Sequence, residues 1–249
     1  MTGGSGGTQI SEAATPRLFI FPHAGGSPQY YVPFAKTFST AIKRVAVQYP
    51  GQQGKQDFAS FTSLPALADE VCKMVSPEKE GGVHGPPIFF FGHSMGGLLA
   101  FEVARRFEEA GNPITALFVS ACAAPGRVGY EDIPETDDGL LAAVSTMTGA
   151  SPEFMQNPEF AAAILPTLRG LKAIANYDCP PEVTLSCPIH VFYGDDDEIA
   201  TADKVSAWAQ RTTAGSTLRE FKGHHFYLND HLGDLVPDLE QKIWARCGV

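Results

Sequence analysis

Apolar positions along this chain fall into two alternating patterns. Short strand-like runs recur at Leu18–Phe21, Arg44–Tyr49, Ile88–Phe91, Ala116–Val119, Ile189–Tyr193 and Leu218–Phe221. Several, Ile88–Phe91 above all, carry no polar residue, as a strand covered on both faces requires. Between them the period changes to that of a helix. In Ser63–Val75 the residues Leu64, Leu67, Ala68, Val71 and Val75 share one face. In Leu98–Ala110 the residues Leu98, Phe101, Ala104 and Phe107 point one way, and Gly111 closes the run. Ala202–Arg211 and Leu235–Ala245 complete the set. Strands alternating with helices of this length predict a parallel sheet with crossover helices, an α/β fold.

One stretch breaks the alternation. From about Tyr130 to Tyr177 the apolar residues keep helical spacing and offer no strand. Leu140, Leu141, Val144 and Met147 form one stripe; Phe160, Ile164, Leu168, Leu171 and Ile174 form another. This predicts a helical insertion between two strands, either packed on the sheet edge or serving as a lid over a substrate site. Residues 1–16 are rich in Gly, Ser and Thr and are expected to be a disordered tail; 17–249 reads as a single domain with the lid at about 130–177. Glu78–Pro87, with its glycines, prolines and charges, reads as a surface loop.

Charge and composition narrow the function. The 249 residues carry a formal net charge of −10. Binding to nucleic acid or to an anionic membrane surface needs clustered positive charge, so neither is expected. Five cysteines, an odd number without CxxC spacing, point to free thiols in a reducing compartment. The N-terminus lacks the basic start and apolar run of a signal peptide, and no apolar stretch approaches the ~18 residues of a membrane span. A cytoplasmic monomer without metal or organic cofactor is the expectation.

The candidate chemistry begins at Gly92-His93-Ser94-Met95-Gly96, a G-x-S-x-G string. It follows an apolar strand and opens an amphipathic helix, the setting of a nucleophile elbow, which makes Ser94 the candidate nucleophile. A serine hydroxyl needs a base in hydrogen-bond reach, and in this arrangement the chain order is Ser, then Asp or Glu, then His. Gly223-His224-His225-Phe226 follows the last strand; His225 is favoured, with His224 as competitor. His190 opens a strand and reads as structural, and His231 lies beyond the loop, near the start of the last helix. The acid belongs to Asp195-Asp196-Asp197-Glu198, directly after Ile189–Tyr193, and composition does not choose among the four. An oxyanion hole needs two backbone N–H groups. Met95, after the nucleophile, and Ala24, in the glycine-rich loop His23-Ala24-Gly25-Gly26, are the candidates, with His23 reading as a brace for that loop.

Four stretches carry a resemblance: Phe21-Pro22-His23-Ala24-Gly25-Gly26, Tyr49-Pro50-Gly51-Gln52, Gly92-His93-Ser94-Met95-Gly96-Gly97 and Gly223-His224-His225-Phe226-Tyr227-Leu228. Together they resemble the stand-alone type II thioesterases of non-ribosomal peptide and polyketide assembly lines, within the α/β-hydrolase superfamily. The resemblance implies a mostly parallel central sheet with flanking helices and a helical lid. It implies Asp197 as the acid, since the family's Gly-x-x-Asp falls on Gly194 and Asp197, and His225 as the base. It also implies substrates held as thioesters on the phosphopantetheine arm of acyl or peptidyl carrier domains, and an editing role. Two departures stand out: His224 occupies a position that is often Gly, and Leu168-Arg169-Gly170-Leu171 lacks the acidic member of the family's lid pattern. Arg169 and Lys172 are candidate carrier-docking residues, with solvated lid charges as the favoured reading. A general carboxylesterase or lipase on small esters, and an idle hydrolase fold used as a binding module, are the rival readings.

Overall fold

The computed structural model describes residues 15–50, 63–75, 85–127, 134, 136–148, 151–162, 164–165, 168, 177 and 179–248. Most of the 1–16 tail and of the 78–87 loop, together with Gln52, Arg169, Leu171, Lys172 and Ile174, lies outside the described residues.

The described strands are β1 (Arg17–Phe21), β2 (Lys43–Ala46), β3 (Ile88–His93), β4 (Ala116–Ser120), β5 (Ile189–Gly194) and β6 (Ser216–Phe221). They form one six-stranded sheet in the order β2-β1-β3-β4-β5-β6, parallel throughout. Every residue of β1, β3, β4 and β5 is buried, whereas the edge strands β2 and β6 are largely open. The wholly apolar runs are thus the interior strands. After β1 the chain runs out to the edge strand β2 and returns to β3 on the other side of β1. That reversal is a topological switch point, the place where an open α/β sheet offers a crevice at its C-terminal edge.

The helices are α1 (Val32–Thr37), α2 (Leu64–Val75), α3 (Met95–Glu109), α4 (Asp137–Thr148), α5 (Pro152–Met155), α6 (Ala202–Ser206) and α7 (Leu232–Cys247). Side chains alternate across a strand, and β3 shows where the layers lie. Phe91 packs on Phe34 of α1 with ring centroids 4.6 Å apart, and Phe90 packs on Phe107 of α3 at 5.5 Å. α1 and α3 therefore cover opposite faces; α7 packs beside α1 and α2 beside α3. Phe89, Phe90 and Phe91 are fully buried, each worth about 1.5–3 kcal/mol of apolar transfer.

Several boundaries differ from the pattern-based expectation: β6 begins at Ser216 rather than Leu218, α6 gives way after Ser206 to a 3-10 turn over Ala207–Arg211, and α7 begins at Leu232 rather than Leu235. α3 begins at Met95, not Leu98, because the turn is confined to Ser94. β2 leaves the ladder after Ala46, and the following segment runs to Tyr49, whose buried hydroxyl donates to the Pro22 carbonyl at 2.7 Å. α1 gave no apolar period to read, being only six residues with Pro33 in its first turn.

Between β4 and β5 the described part of the insertion is helical: α4, α5 and residues 158–162. Its apolar residues Leu140, Leu141, Val144, Met155 and Leu168 form a cluster of their own, separate from the sheet core. Both roots of the insertion are held by one buried guanidinium. Arg211 donates to the carbonyls of Pro125 (2.9 Å) and Cys179 (3.1 Å), which lie before and after it, and to that of Pro180 (2.7 Å). No helix among the described residues is long and apolar enough to cross a membrane.

Candidate active site

Ser94 sits at the C-terminal end of β3, beside the switch point, and joins strand to helix in a single residue. Its backbone adopts φ 55° and ψ −128°. A non-glycine residue there costs about 1–3 kcal/mol, which the surrounding structure must impose. The two glycines of the motif make this possible. A Cβ on Gly92 would lie 2.2 Å from the Gly96 carbonyl oxygen, and one on Gly96 would lie 2.1 Å from that of Phe21. β3, α3 and β1 therefore approach more closely than any side chain allows. The Ser94 N–H is bonded to the Ser120 carbonyl at 2.8 Å, which fixes the elbow to the end of β4.

His225 lies on the loop after β6 and Asp197 on the loop after β5. The Ser94 Oγ is 2.9 Å from His225 Nε2, and His225 Nδ1 is 2.8 Å from Asp197 Oδ2. Asp197 Oδ1 accepts the N–H groups of Ile199 (2.9 Å) and Ala200 (3.0 Å). Burial works against the charge on Asp197, yet the hydrogen bond to His225 and the two backbone donors outweigh it and hold the carboxyl below its ordinary range. Both side chains are nearly sealed from solvent, at 6% and 1% exposure, which strengthens their mutual attraction.

The other carboxylates of the run face elsewhere. Asp195 accepts the Gly223 N–H at 2.9 Å and pairs with Lys222. Asp196 pairs with His224 at 3.1 Å, both 72% exposed. His190 Nδ1 is 2.8 Å from the Thr217 hydroxyl, and His231 Nε2 donates to the Lys222 carbonyl at 2.8 Å.

The two N–H groups singled out for an oxyanion lie on adjoining elements. Met95 opens α3, where a helix leaves N–H groups without intrahelical partners. Ala24 follows β1 in the loop whose first residues touch Gly96. No acceptor takes either N–H among the described residues. His23 holds that loop: its Nδ1 is 2.8 Å from the Tyr31 hydroxyl, and its N–H donates to the same oxygen at 3.3 Å. Burial first, and then the neighbouring His225, lower the His23 imidazole to about 3.

A third imidazole completes the floor. His93 is fully buried, and burial, then His225 and His23, hold it well below the ordinary histidine value. Its Nδ1 is 2.9 Å from the Ser120 hydroxyl, which is 2.8 Å from the Tyr227 hydroxyl. Phe226 stands among the three rings, 4.9 Å from His23, 5.2 Å from His93 and 5.4 Å from His225. His93 and Tyr227 fall inside the sequence stretches around Ser94 and His225, Ser120 in none, and nothing in their spacing shows that the three meet.

A model of the thioesterase domain matches residues 16–243. The chain belongs to the thioesterase domain family. Thioesterase TesA of Mycobacterium leprae is 49% identical over 245 residues, covering 97% of this chain and 92% of that protein. The type II thioesterase BorB from the borrelidin biosynthetic cluster superposes with TM-score 0.78 at 36% identity, over 91% of this chain and 92% of BorB. YbtT, a type II thioesterase from the yersiniabactin pathway of combined non-ribosomal peptide and polyketide synthesis, superposes with TM-score 0.69 at 27% identity, over 94% and 93%. The sheet and its flanking helices are those of this thioesterase fold.

Proposed function

We propose that this thioesterase hydrolyses acyl thioesters on the phosphopantetheine arm of acyl or peptidyl carrier domains, clearing stalled acyl groups from a non-ribosomal peptide or polyketide assembly line. The observation that carries the reading is the chain Ser94–His225–Asp197, with links of 2.9 Å and 2.8 Å, inside a thioesterase domain. Its similarity to type II thioesterases of such pathways supports the substrate class.

In this mechanism Ser94 Oγ attacks the thioester carbonyl carbon while His225 Nε2 takes the hydroxyl proton. Asp197 keeps the imidazole N–H on Nδ1 and stabilises the imidazolium. The N–H groups of Ala24 and Met95 receive the oxyanion, with the N-terminus of α3 adding its dipole. Collapse breaks the C–S bond and His225 protonates the departing thiolate. A water, deprotonated by His225, then attacks acyl-Ser94 and releases the acid, and the proton returns to Ser94 Oγ. The steps need no metal or cofactor. Residues 17–249 act as one domain, with the insertion between β4 and β5 as a lid. The triad is completed within one chain, which is consistent with a monomer, and free thiols at all five cysteines suit the cytoplasm.

The test compares release of an acyl group from a phosphopantetheinyl carrier protein with cleavage of the matched oxygen ester, for wild type and Ser94→Ala. Release from the carrier that exceeds ester cleavage and is lost in Ser94→Ala is the expected result. Preference for the ester moves the assignment to a carboxylesterase, and activity retained by Ser94→Ala refutes the nucleophile.

A further inference from the structure

Beneath the triad lies a second hydrogen-bonded chain that the mechanism above does not use. Tyr227, Ser120 and His93 are all buried, with exposures of 1%, 0% and 0%. Their links of 2.8 Å and 2.9 Å join three elements. Tyr227 is two residues past His225 on its loop. Ser120 ends β4, and its carbonyl holds the Ser94 N–H at 2.8 Å. His93 immediately precedes Ser94, and its ring lies 5.4 Å from that of His225.

The direction of the chain follows from counting protons. Two hydrogen bonds join a tyrosine hydroxyl, a serine hydroxyl and an imidazole with one N–H. If Tyr227 donates to Ser120 and Ser120 to His93 Nδ1, one group is left over, the His93 Nε2–H. In the reverse direction two are left over: the Tyr227 O–H and the lone pair of His93 Nε2. His93 Nε2 is buried and has no partner, so either direction leaves it unmatched. Each buried unmatched group is costly, so the direction from Tyr227 to His93 prevails. It donates a hydrogen bond to Nδ1 of an imidazole that stays neutral, and a neutral ring does not oppose the charge His225 acquires during acylation.

We propose that Tyr227–Ser120–His93 is a positioning relay that sets the approach of His225 to Ser94, locking the nucleophile's neighbour and the histidine loop to one side chain on β4. The inference rests on Ser94 and His225 being nucleophile and base. None of the three side chains is asked to touch the substrate. Each acts through the Ser94–His225 distance, so the loss should fall on the chemical step rather than on binding.

The experiment measures kcat and KM on an acyl-pantetheine thioester, and the labelling rate by a fluorophosphonate, for Ser94→Ala, Ser120→Ala, Tyr227→Phe, the Ser120→Ala/Tyr227→Phe double variant, His93→Asn and His93→Phe. Ser120→Ala keeps the backbone carbonyl that holds Ser94, so it removes only the relay. Misplacing reacting groups by about 1 Å costs on the order of 10²-fold; kcat and labelling in Ser120→Ala should fall at least ~10-fold, with KM within ~3-fold. The double variant should be no slower than Ser120→Ala, as members of one network are not additive. His93→Asn, which keeps an acceptor near the place of Nδ1, should outperform His93→Phe, which keeps the ring but offers none. If Ser120→Ala fails to fold, Tyr227→Phe and the two His93 variants carry the same comparison. Wild-type kcat in the relay variants, additive losses, or His93→Phe surpassing His93→Asn overturns the relay while an inactive Ser94→Ala leaves the triad standing. Activity retained by Ser94→Ala overturns both.

Discussion

The surroundings of Asp197 dictate what replacing it by asparagine must do. Asp197 Oδ1 accepts two backbone N–H groups, from Ile199 and Ala200, at 2.9 and 3.0 Å, and Oδ2 faces His225 Nδ1 at 2.8 Å. In Asp197→Asn only the amide oxygen can accept the two backbone donors, so the NH2 group is turned toward His225. A donor facing Nδ1 forces the imidazole proton onto Nε2, the atom 2.9 Å from Ser94 Oγ. The base then presents an N–H where it must accept a proton. The opposite amide orientation sets NH2 against two N–H donors in a buried site and costs several hydrogen bonds. A wrong tautomer in a Ser-His-Asp site lowers kcat by roughly 10⁴, about 5.4 kcal/mol of barrier. Asp197→Ala removes the support for His225 but leaves both tautomers open, so Asn should be no better than Ala although it is nearly isosteric. Steady-state hydrolysis of an acyl-pantetheine thioester reads both variants, with the melting temperature as the check on folding. An asparagine variant within 10-fold of wild-type kcat, or one clearly faster than alanine, refutes the reasoning.

Two further expectations concern stability. His23, held to about 3, and His93, held well below its ordinary value, both chiefly by burial, stay neutral in the fold but take a proton in the unfolded chain below about pH 6.5. Stability should be intact above that pH and fall as the pH drops from about 6.5 toward the folded-state values, by up to about 1.4 kcal/mol per pH unit for each histidine; a melting temperature unchanged between pH 7 and pH 5 would contradict this. Arg211→Lys replaces a fork that spans the Pro125, Cys179 and Pro180 carbonyls by a single ammonium, and should cost about 2–3 kcal/mol by urea unfolding; a loss under about 0.5 kcal/mol would mean the roots of the insertion hold without it.

Much of the fold is written in local pattern. Apolar runs such as Ile88–Phe91 read as buried strands because both faces of β3 are covered, by α1 and by α3. Ser94 was legible because the elbow needs its glycines at fixed offsets, where Gly92 and Gly96 meet backbone at 2.2 and 2.1 Å. Long-range assembly was not legible. Arg211 looks like any helix-terminal arginine until its carbonyl partners, as far off as Pro125, are brought to it. Glu102 reads as one charge on an amphipathic helix, yet it is 2% exposed and accepts the Tyr177 hydroxyl at 2.6 Å, with Arg105 and Arg106 as further partners. Ser120 lies 107 residues from Tyr227 and in no motif, so nothing in the sequence shows that the two meet. Such contacts depend on strand order, which periodicity does not encode.

The run Asp195-Asp196-Asp197 shows how register decides what composition leaves open. The loop after β5 and the loop after β6 lie side by side, tied by Asp195 N–H to the Phe221 carbonyl (2.9 Å) and Asp196 N–H to the Gly223 carbonyl (3.0 Å). Three successive acids therefore meet successive partners 28 residues on: Asp195 the N–H of Gly223, Asp196 the ring of His224, Asp197 the ring of His225. The pairs share chemistry but not surroundings. Asp196 and His224 stand in solvent at 72% exposure, where a side-chain contact contributes little. Asp197 and His225 are turned inward, toward Ser94. A slip of one residue would set Asp197 against the solvent-exposed His224, and Ser94 would face a ring whose proton nothing orders. Register is thus held by the backbone bonds of Asp195 and Asp196 and by the Gly223 N–H on the Asp195 carboxylate, and a Gly at 224 would leave all three in place.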